Sequence, residues 1–109
     1  MAAPILLVLS TAASQKEALK ISEALLNKRL AACVSIVPSL TSVYWWKGRK
    51  EKASESLLLI KTRKSAFKKL EQAIQKLHSY SVPEIIAIPV AAASKSYMSW
   101  MFKEIDTRL

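Results

Sequence analysis

The sequence predicts an α+β fold of the ferredoxin-like type, in which the element order βαββαβ is followed by a C-terminal helix. Two observations favour this fold: apolar runs of strand length alternate with helical repeats in that order, and the only glycine, Gly48, lies where the second strand would turn into the third. A chain of 109 residues has the size of one domain. We therefore expect a single domain over residues 1–109, with an antiparallel sheet and a long projecting hairpin.

The first strand and the first helix have clear sequence signals. Residues 5–10 are almost continuously apolar, as expected of a central strand. Ser14 is followed three residues later by Glu17, which is the pattern of a capping box at a helix start. The apolar positions that follow fall on one half of a helix, and they are Ala18, Ile21, Leu25, Leu26 and Leu30.

The next extended stretch, residues 32–46, changes its alternation at Pro38. Its apolar residues occupy even positions before the proline, Val34 and Ile36, and odd positions after it, Val43 and Trp45. A change of parity within one strand predicts a bulge or bend. Residues 47–50 then predict a hairpin turn that uses the glycine.

The second half of the chain supplies the remaining strands and helices. Residues 57–60 are apolar at every position and so on both faces, which indicates a central strand. The second helix shows helical spacing at Phe67, Leu70, Ile74 and Leu77. A fourth strand is expected over residues 84–90, and a last helix over residues 96–105 would present Tyr97, Trp100 and Met101.

Composition excludes several classes of site. One glycine rules out glycine-rich phosphate loops, and one histidine rules out a multi-histidine metal site within one chain. One cysteine allows no internal disulfide, and the N-terminus resembles a strand more than a signal peptide, so we expect a cytoplasmic protein with no membrane span. The net charge of +9 is compatible with acidic partners, although the lysines are spread along helices as on an ordinary solvated surface.

Three segments of the chain together resemble a known family. Residues 78–90 have the pattern H-x-Y-x-x-P-E-I-I-A-I-P-V, and together with residues 30–50 and 57–62 they resemble the CutA family of divalent-cation tolerance proteins. The resemblance runs from about Leu6 to Trp100. It implies a homotrimer whose extended hairpins pair between subunits, and a role in tolerance of divalent metal ions such as copper. Association of this kind also predicts resistance to heat.

His78 is the candidate metal ligand. At a helix end, an imidazole can instead bond the last carbonyls and offset the helix dipole. Some CutA proteins are described as binding copper through a first-strand cysteine and two adjacent histidines, and these positions correspond here to Ser10, Leu77 and His78. Serine and leucine do not replace thiolate and imidazole as copper ligands, so we expect a divalent cation such as copper to bind only weakly.

A ligand cleft is the second expectation drawn from the resemblance. Lys61, Tyr80 and Glu84 belong to the matched positions and are expected to converge between subunits, where they could bind a small polar ligand. A strand terminus in solvent is the simpler interpretation of Glu84. Cys33 has apolar neighbours, and we expect it to be a small buried side chain rather than a ligand or nucleophile.

Tyr44, Trp45 and Trp46 precede a run of cations on the hairpin. Aromatic and basic residues together can bind single-stranded nucleic acid, but the third strand has no aromatic residue on which a base could stack, as RNA-binding domains of this topology do. We therefore expect these three residues to pack at a subunit interface, and nucleic acid to be the less favoured partner.

The sequence offers no catalytic residues in a recognisable arrangement. Glu84 or His78 could act as an acid–base group, but no nucleophile–base pair and no cofactor motif accompanies them. We expect a binding protein rather than an enzyme. The trimeric PII-type signalling proteins share this architecture, so a small-molecule sensor is an alternative by analogy.

Overall fold

The structure, a computed structural model, describes residues 4–106 and residue 108. It confirms the α+β fold and the predicted element order, with a short 3₁₀ turn (Lys64–Ala66) added before the second helix. The strands are β1 (Ile5–Ala12), β2 (Cys33–Trp46), β3 (Arg49–Arg63) and β4 (Ile86–Pro89), and the helices are α1 (Gln15–Asn27), α2 (Phe67–Leu77) and α3 (Lys95–Glu104). The sheet is antiparallel in the order β2-β3-β1-β4, so the two strands predicted to be central are central.

One face of the sheet is covered by α1 and α2. Alternate residues of the central strands point toward the helices, among them Val8 on β1 and its register partner Ile60 on β3. They pack against the apolar stripes of both helices, and this core consists of Val8, Ala12, Ala18, Ile21, Leu25, Leu58, Ile60, Leu70, Ala73 and Ile74, with Leu30 and Ala31 at its margin. The stripe predicted for α2 is therefore correct, with Phe67 and Leu77 packed at the core margin.

The opposite face of the sheet, called the second face below, is apolar and only partly covered. In the strand register it carries Leu7 and Leu9 of β1, Leu57 and Leu59 of β3, and Ile86 and Ile88 of β4. Only one end of it is covered, by α3, whose Phe102 ring lies 4.8 Å from the Arg63 guanidinium carbon. The β4 isoleucines are exposed, whereas the four leucines are partly buried, so this face reaches solvent chiefly at its β4 edge in the single chain.

The β2–β3 hairpin projects beyond the rest of the sheet. Pairing between β1 and β3 ends at Ala12 and Ser56, and β3 continues toward Arg49 in contact with β2 alone. The predicted bulge occurs between Val37 and Leu40, where β2 has one residue more than β3. The extra residue compensates for the change from even to odd positions, so the apolar residues before and after Pro38 lie on the same face of the hairpin.

Several boundaries differ from prediction. Helix α1 ends at Asn27 rather than continuing to Leu30, because Arg29 adopts a left-handed conformation (φ 57°). The N–H groups of Arg29 and Leu30 then bond back to the carbonyls of Leu26 and Leu25, which is a Schellman motif. Leu26, predicted on the apolar half, is exposed. Strand β4 is shorter than residues 84–90.

Helix α3 begins at Lys95, one residue before the predicted start, and ends at Glu104, one residue before the predicted end. Of the three residues that this helix was expected to present, Met101 is buried, whereas Tyr97 and Trp100 are exposed.

Candidate functional site

Polar side chains meet at the base of the hairpin, at the point where β1 ends and β3 continues paired with β2 alone. The loop that follows α2 passes around the end of β1 and brings His78 to the Thr11 carbonyl and Tyr80 to the carboxylate of Glu55 on β3. We call Glu55, His78 and Tyr80 the hairpin-base site. Their proximity follows from topology, since α2 delivers the loop to the end of β1 and β3 runs past it.

His78 is held through both nitrogens of its ring. The Tyr80 backbone N–H donates to Nδ1 at 3.0 Å, so Nδ1 carries the lone pair. The hydrogen is therefore on Nε2, which donates to the Thr11 carbonyl oxygen at 2.7 Å. The backbone N–H of His78 closes α2 by bonding Ile74, but the imidazole bonds a strand carbonyl and not the helix carbonyls that capping would require. The alternative of a side-chain cap is therefore not observed, and the imidazole instead ties the loop to β1.

Tyr80 and Glu55 form a hydrogen-bonded pair. The phenol donates to Oε2 of Glu55 at 2.8 Å, and Glu55 is only 7% exposed. Burial raises the pKa of Tyr80 above its ordinary value of 10.0, and the hydrogen bond and negative charge of Glu55 raise it further. The tyrosine therefore remains a neutral donor at physiological pH, and the ring packs 4.7 Å from the His78 ring.

Glu17 connects the same loop to the start of α1. Ser14 Oγ accepts from the Glu17 N–H, while the Glu17 carboxylate accepts from the backbone N–H groups of Ala13 at 3.0 Å and Ser79 at 2.8 Å. The reciprocal bond of the predicted capping box thus goes to Ala13 rather than to Ser14. Burial alone would raise the pKa of Glu17, but these backbone donors outweigh it and lower the pKa below the usual value of 4.5.

Lys61 lies on the second face, apart from the hairpin-base site. Its Nζ donates to Ser35 Oγ at 2.6 Å and lies 3.8 Å from the thiol of Cys33, its register partner on β2. Cys33 is only partly buried, so the predicted burial is wrong: the odd positions of β2 face away from the helices. Burial, together with the nearby Cys33, raises the pKa of Tyr97 on α3.

Lys61, Tyr80 and Glu84 do not meet within one chain. Lys61 is six residues along β3 from Glu55, the partner of Tyr80, which is about 20 Å of strand. Glu84 is exposed just before β4. The convergence of these three residues between subunits stays a prediction, since it needs a second copy of the chain.

The residues at the proposed copper positions do not fit that metal. Ser10 is fully buried on the helix side of β1, where its hydroxyl has no hydrogen-bond partner, and Leu77 packs against the core. His78 has both ring nitrogens engaged in hydrogen bonds. Over residues 4–106 and 108, no three histidine, cysteine, aspartate or glutamate side chains are grouped as metal ligands would be.

The predicted interface residues lie toward the tip of the hairpin and are exposed in the single chain. Trp45 is 73% exposed, and Tyr44 and Trp46 are about half covered. The Lys47 ammonium stands 5.9 Å from the centre of the Trp46 ring. An interface role for these three residues stays a prediction.

Glu55 and Glu17 are the site residues that sequence reasoning missed. Glu55 falls in the run Ala53-Ser54-Glu55-Ser56, whose small polar neighbours resemble a solvent-exposed strand. Its position in the strand was a signal of burial, because the alternation of side chains places Glu55 on the same face of β3 as the apolar residues Leu57 and Leu59. Glu17 was identified only as a helix cap, because nothing local indicates its bond to Ser79.

Comparison with known proteins gives a consistent result. Residues 6–104 match the family described as CutA1 divalent ion tolerance protein. The "Divalent-cation tolerance protein CutA" of Thermus thermophilus is 48% identical over 94 residues, which are 86% of this chain and 91% of that protein. "Protein CutA 1, chloroplastic" of Oryza sativa is 37% identical over 90% of this chain, but the chain spans only 55% of its length.

A solved structure of the divalent cation tolerance protein of Thermus thermophilus superposes with a TM-score of 0.91 at 44% identity, covering 93% of this chain and 98% of that one. Within the described residues, no helix is both long and apolar enough to cross a membrane. The match to the family over residues 6–104, with the same fold at this level of identity, shows that the chain belongs to the CutA1 divalent ion tolerance family.

Proposed function

We propose that this member of the divalent-cation tolerance family is a cytoplasmic homotrimer that binds a small polar ligand in clefts between its subunits. In this proposal it acts by binding, as a sensor of the PII type does, and not by catalysis. The partly uncovered apolar second face carries the proposal. Ile86 and Ile88 extend that face to the sheet edge, where exposed apolar strands favour association.

Subunit contact would also complete the ligand cleft. Tyr80 and Glu55 already form a polar pair at the hairpin base, whereas Lys61 lies far along β3 in the same chain. A neighbouring subunit packed on the second face could bring its own lysine, or Glu84, toward that pair. The cleft would then offer an ammonium, a phenol and carboxylates, which suits a small polar ligand.

Copper is expected to bind weakly, because a metal would have to displace both hydrogen bonds of His78 and would find no matched thiolate. We expect calorimetric titration of metal-free protein with copper(II) to give an affinity weaker than micromolar. His78→Ala should change that affinity little and should lower thermal stability instead, since it frees the loop from Thr11. Ser81→Ala, an exposed serine in the same loop, serves as the control for stability.

Submicromolar copper binding that His78→Ala abolishes would contradict this account of His78. Submicromolar binding that survives in His78→Ala would place the ligands elsewhere, with Cys33 the first residue to substitute.

Binding of single-stranded nucleic acid is a second candidate function. Trp45 is the most exposed of the large apolar side chains in the described residues, and it lies beside basic side chains on the hairpin. Fluorescence anisotropy with a single-stranded oligonucleotide at two salt concentrations tests it. Interface packing predicts no binding by the trimer. Salt-dependent binding that Trp45→Ala removes would favour the nucleic-acid role.

A further inference from the structure

A basic groove lies on the helix side of the molecule, away from the hairpin-base site. It has a volume of about 400 Å³ and is open to solvent. Its charged walls come from Lys28 at the end of α1 and from Lys69 and Lys76 on α2, with Asp106 at one side. Leu30 and Ala73, both buried, form part of its lining. The groove is therefore a shaped surface with an apolar base and three ammonium groups.

Within the described residues, none of these lysines forms an ion pair with a carboxylate. The ion pairs found there join Arg29 to Glu104 and Arg108 to Asp106, and neither includes a groove lysine. Asp106 is the one acid that lines the groove, and its carboxylate accepts two side-chain hydrogen bonds and one backbone bond from Arg108. These bonds lower the pKa of Asp106 to about 2. Arg108 thus takes up most of the hydrogen-bonding capacity of this carboxylate, and the nearby Lys69 ammonium contributes only a smaller charge effect to the lowered pKa.

The position of Lys69 distinguishes the groove from an ordinary charged helix surface. Lysines near a helix C-terminus, such as Lys28 and Lys76, are favourable because they oppose the helix dipole. Lys69 lies in the first turn of α2, where a cation is unfavourable, and no acidic residue accompanies it there. An anion bound next to Lys69 would neutralise its ammonium charge and so remove this unfavourable interaction with the helix dipole.

The spacing of the lysines indicates the size of the ligand. Lys69 and Lys76 are seven residues apart on one side of α2, which corresponds to about 10.5 Å along the helix axis. That distance exceeds the span of a single phosphate and suits an anion with charged groups at more than one point. The hairpin cations lie about 40 Å away along β2, so the two basic regions do not form one continuous track for nucleic acid.

We propose that this groove binds a compact multivalent anion that carries two or more phosphate or carboxylate groups. Lysine ammonium groups bind both kinds of group as point charges, and the groove volume is within the range of small-molecule sites. The site is independent of the proposed inter-subunit cleft, because its residues lie on α1, α2 and the segment after α3.

The test compares two triple variants with equal loss of charge. The groove variant combines Lys28→Gln, Lys69→Gln and Lys76→Gln. The control variant combines Lys16→Gln, Lys20→Gln and Lys68→Gln, exposed helix residues that do not line the groove. Calorimetry at low and at physiological ionic strength would use inorganic pyrophosphate and citrate as probes, and circular dichroism would confirm that both variants are folded.

We expect the wild-type protein to bind at least one probe, and the groove variant to bind it at least about tenfold more weakly, while the control changes less than about twofold. A preference for pyrophosphate would identify phosphate as the recognised group, and a preference for citrate would identify carboxylates. Equal losses in both variants would show only the effect of net charge and would overturn the proposal. Absence of binding by the wild-type protein, or tighter groove-dependent binding of an oligonucleotide, would also overturn it.

Discussion

At the scale of single residues, the two fully buried hydroxyl side chains of the described residues, Ser10 and Thr62, are in contrasting situations. Thr62 on β3 donates to the Leu30 carbonyl oxygen at 2.7 Å, which ties the sheet to the segment after α1. Ser10 on β1 is equally buried, but its oxygen has no partner among the described residues. A buried polar group without a hydrogen bond destabilises the fold, whereas a bonded one holds its neighbour in place.

Ser10→Ala should therefore raise the free energy of unfolding, by about 1 kcal/mol. Thr62→Val, which keeps the side-chain shape but leaves the Leu30 carbonyl without its donor, should lower it by about 1–2 kcal/mol. Urea unfolding at one fixed protein concentration measures both changes. A loss of stability in Ser10→Ala would show that the serine hydroxyl is satisfied after all.

Glu17 makes stability depend on pH. Its pKa in the folded protein is lower than the unfolded value of 4.5, so its contribution is present above that value and disappears as pH falls through the folded pKa. Glu17→Ala should lower the free energy of unfolding at pH 7 by about 1 kcal/mol, a figure kept small because the side chain is partly exposed to solvent. The difference from wild type should vanish in acid, below the folded pKa.

Unfolding curves at several pH values check this, with Glu23→Ala on the exposed side of the same helix as the control. A difference between Glu17→Ala and wild type that persists unchanged at low pH would exclude the carboxylate bonds as its cause.

At the scale of elements, the hairpin is shaped by two short irregularities. Ser39 adopts a left-handed conformation (φ 60°) inside the bulge, and Lys47 and Gly48 both have positive φ in a two-residue turn. Positive φ at both central positions is typical of a type I′ turn, whose twist matches that of paired strands. The turn keeps the hairpin in register as far as the Trp46–Arg49 pair.

Gly48→Ala should destabilise the protein by about 1 kcal/mol, because alanine disfavours the left-handed conformation that the turn requires. Space is not the cause, since an added Cβ would meet no atom within 4 Å. Gly48→Asn should cost less, because asparagine tolerates positive φ. Thermal unfolding of the wild type, Gly48→Ala and Gly48→Asn ranks their stabilities. Equal losses of stability in the two variants would argue against the backbone explanation.

At the scale of the whole molecule, the sheet has two unequal faces. Helices α1 and α2 bury one face, and α3 covers only an end of the other. The projecting hairpin and the partly uncovered apolar face are the two features that support the proposed trimer.

Light scattering should give the mass of a trimer. Ile88→Lys, on the uncovered face, should shift the mass toward the monomer and lower the unfolding temperature, since a charge would be buried at the interface. Leu19→Lys, an exposed position on α1 in the helix layer, should change neither. A monomeric wild-type mass at micromolar concentration would contradict the trimer proposal. A trimeric mass that is unchanged in Ile88→Lys would show that Ile88 lies outside the subunit interface.

The sequence by itself determined the features that depend on local pattern. The order of elements along the chain, the amphipathic faces of α1 and α2, the helix start at Ser14 and the parity change at Pro38 all follow from periods of 2 or 3.6 residues and from local hydrogen bonding. The end of α1 did not follow, because Arg29 fills the left-handed position that glycine usually marks. The family resemblance followed from the motif around His78 and Tyr80.

Only the tertiary structure decided what those motif residues touch. His78 bonds the Thr11 carbonyl, Tyr80 bonds Glu55, and Ser79 bonds Glu17, contacts that join residues 67, 25 and 62 positions apart in the chain. The groove at Lys28 likewise depends on α1, α2 and the last segment being packed together. Long-range contacts of this kind arise from how the sheet and helices pack, and local sequence patterns do not record which distant backbone group will meet a given side chain.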